Sequence, residues 1–215
     1  MSGRTHTANR GIRFSAKELQ DLAVAWLALG VAFMFFLNGD LATGLLAGDF
    51  PVAEAARSFG LSLATVGVGF LLHELAHKVV AIRFGQLAEF RADYSMLALA
   101  IAAGLAGFLF AAPGAVYHGG RPITKRQNGL IALAGPLTNV ALVAVFLPFV
   151  FLFDGLLGTV GVLGVGINAL LAGFNMIPFG PLDGRKVLTW SKPVFAGSFL
   201  LCGGLAAAVF VVLFG

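Results

Sequence analysis

Charge is the scarcest ingredient of this sequence. Only 11% of its 215 residues are charged and 59% are hydrophobic, whereas an ordinary soluble domain carries about 25% charged residues. That balance, with a mean hydropathy of +0.93, excludes a water-soluble globular chain and indicates an all-α polytopic membrane protein. Cysteine is nearly absent. The single Cys202 excludes an internal disulfide and, inside the last apolar run, reads as a small packing residue. Basic excess is slight, a net charge of +4, and its residues sit in short clusters beside apolar runs. Orientation in a bilayer and retention of anionic lipid account for that placement, so nucleic acid is not expected as a partner.

Hydropathy places spans near residues 22–37, 59–84, 130–153, 156–177 and 194–214. Arg4, Arg10, Arg13 and Lys17 precede the first. That run is too long for a signal-peptide core and lacks a small-residue cleavage site, so it reads as an uncleaved first transmembrane helix. A sixth apolar run, 96–112, has the minimum length for a span, contains Gly104 and Gly107, and stops at Pro113-Gly114. Charge decides between crossing and re-entry. If this run re-enters, the basic clusters at 4–17, 78–91, 121–126 and 185–192 all face one side. Only Arg57 then lies opposite. A crossing divides them evenly, so the positive-inside rule favours re-entry, with the N-terminus on the cytoplasmic side. The loop 38–58 and the turn at Asp154 then face outward. Gly158, Gly161, Gly164, Gly166 and Gly173 in the fourth span read as close helix packing.

Histidine is rare as well, with four in the chain, and two of them lie in His73-Glu74-Leu75-Ala76-His77 within the second apolar span. Histidines at i and i+4 share one helix face and can converge on one metal ion. The intervening glutamate can hold or deprotonate a water at that ion. Ionisable side chains in apolar spans are costly and mark function. A catalytic zinc takes three protein ligands, and Asp183 is the best third candidate. It lies in the Pro/Gly-broken segment Phe174-Asn175-Met176-Ile177-Pro178-Phe179-Gly180-Pro181-Leu182-Asp183-Gly184, at the same expected depth as His73 and His77. An aspartate capping the following helix is the plainer alternative.

Asn175 either donates to a developing oxyanion or makes an interhelical hydrogen bond. Asn139 reads as a packing or loop-positioning residue, and His118 as a surface histidine or a group behind the ligands. Residues 85–94 read as a short linker or as a strand edge, part of a small β-hairpin near the site, to which an extended substrate adds. Water would reach the site from the positive side, near Lys78.

HExxH followed by Asn-x-x-Pro-x-x-Pro-Leu-Asp-Gly resembles the site-2 protease family of intramembrane zinc metalloproteases. Ala134-Gly135-Pro136-Leu137-Thr138-Asn139 resembles its Gly-Pro-x-x-Asn element, and Pro113-Gly114-Ala115-Val116 a proline/glycine segment before it. The likeness covers roughly 62–186 and is to a compact form without a PDZ or CBS domain. It implies His73, His77 and Asp183 as ligands of one zinc ion per chain and Glu74 as the catalytic base. Asn175 would assist at the metal or hold substrate.

The expectation is therefore a single membrane-embedded protease domain over 1–215, with a cytoplasmic segment 1–21 and a catalytic core 59–186. It would be a multi-pass protein of the cell membrane whose active site lies toward the cytoplasm. Its partners would be the bilayer and transmembrane protein substrates, cleaved within or near their membrane segments. The rivals are a zinc-binding, non-proteolytic scaffold that sequesters helices, against which an intact Glu74 argues, and a metal transporter, for which the spans carry too few polar residues. Substrate identity and oligomeric state are not legible.

Overall fold

A computed structural model of the protein describes residues 11–108 and 113–214. It is an all-α polytopic architecture with five helices long and apolar enough to cross a membrane, and one small antiparallel sheet. Helix α1 (Ala16–Leu37) starts at Ser15, whose hydroxyl accepts from Glu18 N–H at 3.1 Å, the usual way to satisfy an orphan donor of the first turn. The stretch expected as a loop at 38–58 is mostly helical instead. It forms α2 (Gly39–Ala47) and the start of α3 (Val52–Ser62). Asn38 Nδ2 donates to Glu54 Oε1 at 2.7 Å across the turn between them.

Helix α3 runs through a single wide π turn (Leu63–Gly67) into α4 (Val68–Arg83), giving one apolar rod from Val52 to Arg83. A π turn spreads the backbone ladder and leaves a carbonyl short of its helical donor. Here the Trp26 indole N–H donates to Leu63 O at 3.2 Å. Gly67 lies flat against the same indole, where a Cβ would sit 2.2 Å from the ring.

Strand β1 (Leu87–Ala92) follows, then α5 (Tyr94–Leu105), then β2 (Gly114–Gly119), paired antiparallel with β1 so that Phe90 faces Val116 and Ala92 faces Gly114. The run expected at 96–112 is helical only to Leu105, and its last residues, 109–112, lie outside the described residues. Twelve helical residues rise about 18 Å, well short of a hydrocarbon core of about 30 Å. Asp93 N–H donates to Pro113 O at 3.0 Å. Asp93 and Pro113, which flank this stretch, therefore lie side by side.

The remaining helices are α6 (Lys125–Leu152), α7 (Gly155–Asn175), α8 (Asp183–Trp190) and α9 (Lys192–Phe214). α6 opens with a reciprocal cap between Thr124 and Gln127. It packs closely along α7 because glycines remove the intervening side chains. A Cβ on Gly164 would sit 2.3 Å from the Phe146 ring, and one on Gly161 2.7 Å from Val150 N; Gly173 does the same toward α9, 2.8 Å from Ala206. Cys202 is buried where α9 meets α7, a packing role, while most of the rest of α9 is exposed or half-buried. The main core joins Leu22, Leu29 and Phe33 of α1 to Val66, Phe70, Phe90, Leu97 and Ile167, wrapping the helix that carries His73 and His77.

Candidate metal centre

His73 and His77 lie one turn apart on α4, and their rings cross edge to face with centroids 4.7 Å apart. Each ring is oriented through its Nδ1. His73 Nδ1 meets Asn139 Oδ1 at 2.6 Å, and His77 Nδ1 meets the Ile131 carbonyl at 2.7 Å. Both partners belong to α6 and both are oxygen acceptors. They favour the tautomer with a proton on Nδ1 and a free lone pair on Nε2.

The two Nε2 atoms converge on Asp183. Its Oδ2 lies 3.4 Å from His73 Nε2 and 3.1 Å from His77 Nε2. Asp183 is the first residue of α8, and Gly184 makes that placement possible. A Cβ on Gly184 would sit 2.1 Å from Met176 O, so only glycine lets the start of α8 close against the end of α7. The other oxygen, Oδ1, accepts from Lys186 Nζ at 3.2 Å. Burial would push the Asp183 carboxyl up, but His77 and His73, whenever they carry a second proton on the Nε2 facing it, hold it well below the usual carboxylate range. Among the described residues His73, His77 and Asp183 form the one group of ligating side chains close enough to share an ion.

Two further observations fit a metal at this point. Glu74 Oε2 is buried and has no hydrogen-bond partner among the described residues. Gly135 faces the gap between the histidines, and a Cβ there would sit 2.5 Å from both Nε2 atoms. The sequence thus keeps open a space that a methyl group would fill, lined by two imidazole nitrogens and a carboxylate oxygen. Nitrogen and carboxylate ligands in a set of three, with room for a fourth, suit catalytic zinc.

A cleft of about 390 Å³ opens from this point. Leu29 and Phe33 of α1 and Leu171 and Phe174 of α7 line it on the apolar side, and Gly114, Ala115, Val116 and His118 of β2 on the polar side. The Val116 backbone N–H faces the Glu74 carboxyl. His118 is half-buried, and burial together with the nearby Lys186 and His77 holds its imidazole below its ordinary value.

Several expectations need correction. Asn175 lines the cleft, and its Nδ2 donates to Leu171 O within its own helix at 3.0 Å and not across to a neighbouring helix. Asn139 packs, as expected, but positions a ligand and not a loop. It is fully buried and orients His73, while its Nδ2 reaches Gly69 O at 3.3 Å and Asn168 Oδ1 at 2.8 Å. Asn168, to which the sequence drew no attention, is anchored in turn to Gly164 O at 2.8 Å. Its only advance signal is an amide in an otherwise apolar helix, where polar side chains find interhelical partners. Lys78 is not at a water-filled mouth. It is 1% exposed and paired with Glu18 of α1. Finally, β1 is not the free edge beside the site, because β2 lies between it and the metal ligands' cleft.

Comparison with known proteins comes to the same chemistry. The chain is 43% identical over 187 residues to a protein of Methanocaldococcus jannaschii named "Putative zinc metalloprotease", covering 86% of this chain and 90% of that one. It is 32% identical over 173 residues to Rip3 of Mycobacterium tuberculosis, which bears the same description. That match covers 77% of this chain and 39% of Rip3's length. No protein-family model matches the chain, and no solved structure does.

Proposed function

The chain belongs to the family of these zinc metalloproteases, and from that premise we propose that it is an intramembrane member of the site-2 protease type. It would hydrolyse peptide bonds within or near the transmembrane segments of other membrane proteins. One observation carries the proposal. His73 Nε2, His77 Nε2 and Asp183 Oδ2 converge beside the buried, unpartnered Glu74 Oε2 within a set of apolar spanning helices. In this reading His73, His77 and Asp183 hold zinc. Residues 1–215 act as one membrane-embedded protease domain with its core at 59–186. The basic clusters favour an N-terminus and a site toward the cytoplasm.

Zinc, when bound, polarises a water and the scissile carbonyl and lowers the water's pKa toward neutrality. Glu74 takes the proton at Oε2 as the water oxygen bonds to the carbonyl carbon, and returns it to the amide nitrogen as the C–N bond breaks. Asn139 and the Ile131 carbonyl keep both imidazoles aimed through the cycle. The scaffold alternative gains nothing from a buried carboxyl with one oxygen unpartnered, which is costly unless used.

Helical substrates present no free carbonyl, so the segment to be cut must be extended. The open edge beside Glu74 belongs to β2. Phe90 N–H of β1 points away from β2, so its partner Val116 turns its own N–H outward, toward the cleft. An added substrate strand on this edge would run past Glu74. Val116→Pro removes that outward donor and spares the pairing with β1. It is expected to cut the cleavage rate of a transmembrane substrate at least tenfold with zinc retained. Wild-type turnover by Val116→Pro would sink strand addition.

The test of the function itself is metal analysis paired with cleavage of a transmembrane substrate in detergent. Wild type is expected to carry about one zinc per chain and to cleave, and Asp183→Ala to lose both. A wild-type protein loaded with zinc that cleaves no transmembrane substrate would instead favour the scaffold. Behind the ligands, Asn168→Leu leaves Asn139 with one fewer partner. It is expected to weaken zinc binding about tenfold in a chelator competition. Unchanged affinity would reduce Asn168 to packing.

A further inference from the structure

Two carboxylates unused by the proposed chemistry sit on the inner face of α1. Glu18 and Asp21, one turn apart, are 0% and 1% exposed. Glu18 Oε1 accepts from Phe90 N–H at 3.0 Å, and the Asp21 carboxyl faces Ala92 N–H. Phe90 and Ala92 are alternate residues of β1, on the side away from β2. Outward N–H groups of a strand recur about every 6.8 Å, and helix residues three apart stand about 5–6 Å apart on one face. The two periods match closely enough for a helix to finish a strand edge with side-chain carboxylates, where another strand would supply carbonyls.

Each carboxylate has its own cation. Lys78, the residue after His77, pairs with Glu18, donates to Arg13 O at 2.6 Å and lies 3.9 Å from the Phe14 ring centroid. Lys17 Nζ lies 2.7 Å from Asp21 Oδ1, which also accepts from Tyr94 Oη at 2.7 Å. The sheet, the first helix and the HELAH helix are thus tied together one residue past His77. A buried ion pair contributes little net stability over apolar side chains of similar volume, so its value here is better sought in placement.

We infer that Glu18 and Lys78 are a positioning pair. They close the β1 edge to substrate and fix the β2 edge against the metal centre, so that one bond of an added strand meets Glu74. The inference rests on the strand-addition reading above. Neither residue touches substrate or metal.

The experiment maps cleaved bonds by mass spectrometry alongside KM, kcat and zinc content. The double variant Glu18→Met/Lys78→Met removes both charges and frees Phe90 N–H without leaving a lone buried charge. It is expected to keep its zinc, to raise KM roughly tenfold with kcat within about twofold, and to spread cleavage from one bond to its neighbours. Glu18→Gln/Lys78→Met returns an acceptor to Phe90 and is expected to return cleavage to the single bond. Asp21→Ala releases the Ala92 end, and its partner Lys17 is half exposed and can turn to solvent. It is expected to show the same spread in smaller measure, and it decides the question if the methionine pair does not fold.

A single cleaved bond and an unchanged KM in Asp21→Ala and in any folded methionine pair, whatever their melting temperatures, would overturn the inference. Failure of strand addition itself reads out separately, as wild-type cleavage by Val116→Pro.

Discussion

Glu74→Gln is expected to abolish measurable cleavage while leaving zinc content at the wild-type level. General acid–base catalysis contributes about 10²- to 10⁴-fold, and here one carboxylate would serve both the water and the leaving nitrogen. The amide has the same shape but cannot take the proton. Glu74 is not among the converging ligand atoms, so metal binding should survive. Stability should not fall either. The substitution replaces a buried carboxylate, 8% exposed and with one oxygen unpartnered, by a neutral group whose burial costs less. The assay compares product formation from a transmembrane substrate, zinc per chain and melting temperature in the two proteins. Cleavage within about tenfold of wild type would remove Glu74 from the role of base.

The second large effect is expected from a methyl group. Gly135→Ala places a carbon 2.5 Å from both histidine Nε2 atoms and 2.6 Å from His73 Cε1, in the space proposed for the ion. The rings cannot swing aside without giving up Asn139 and the Ile131 carbonyl. Overpacking of this kind costs about 1–3 kcal/mol, which a helical bundle can absorb, so the loss should be of metal and not of fold. Zinc is expected to fall below about a tenth of an equivalent, with cleavage lost in proportion and the circular dichroism unchanged. Gly197→Ala, whose Cβ meets nothing within 4 Å, is the control and should behave as wild type. Stoichiometric zinc in Gly135→Ala would mean that the ion lies elsewhere.

The parts of the site set by local periodicity are legible in the sequence. His73 and His77 share a face by spacing alone, the five spans come from hydropathy, and Asp183 comes from depth once the basic clusters orient the chain. The illegible parts depend on the angular phase between helices far apart in sequence. Nothing local tells that Asn139 of α6 meets His73 of α4 and Asn168 of α7, since the meeting is fixed by how closely α6 and α7 approach through their glycines. Glu18 and Asp21 escape notice for a related reason. Acidic residues at the start of an apolar run carry no local sign of burial, and only the neighbouring strand edge gives them a reason to be buried. The same logic puts Lys78 in water, while its partner lies sixty residues away in the chain. The strand pair is half legible, because β1 alternates visibly, whereas β2 is short and comes after a proline and a glycine.

The wide turn at Leu63–Gly67 has a consequence for how this chain tolerates change in length. Such a turn takes in one residue more than an α-helix would use for the same rise, so the helix beyond it runs on in step with the helix before it. A single-codon deletion between 63 and 67 is therefore expected to close the turn to regular α-helix and leave His73 and His77 aimed at Asp183, at the cost of the Trp26 bond to Leu63 O. The rod carries one residue of slack, and it lies ahead of the motif and not within it.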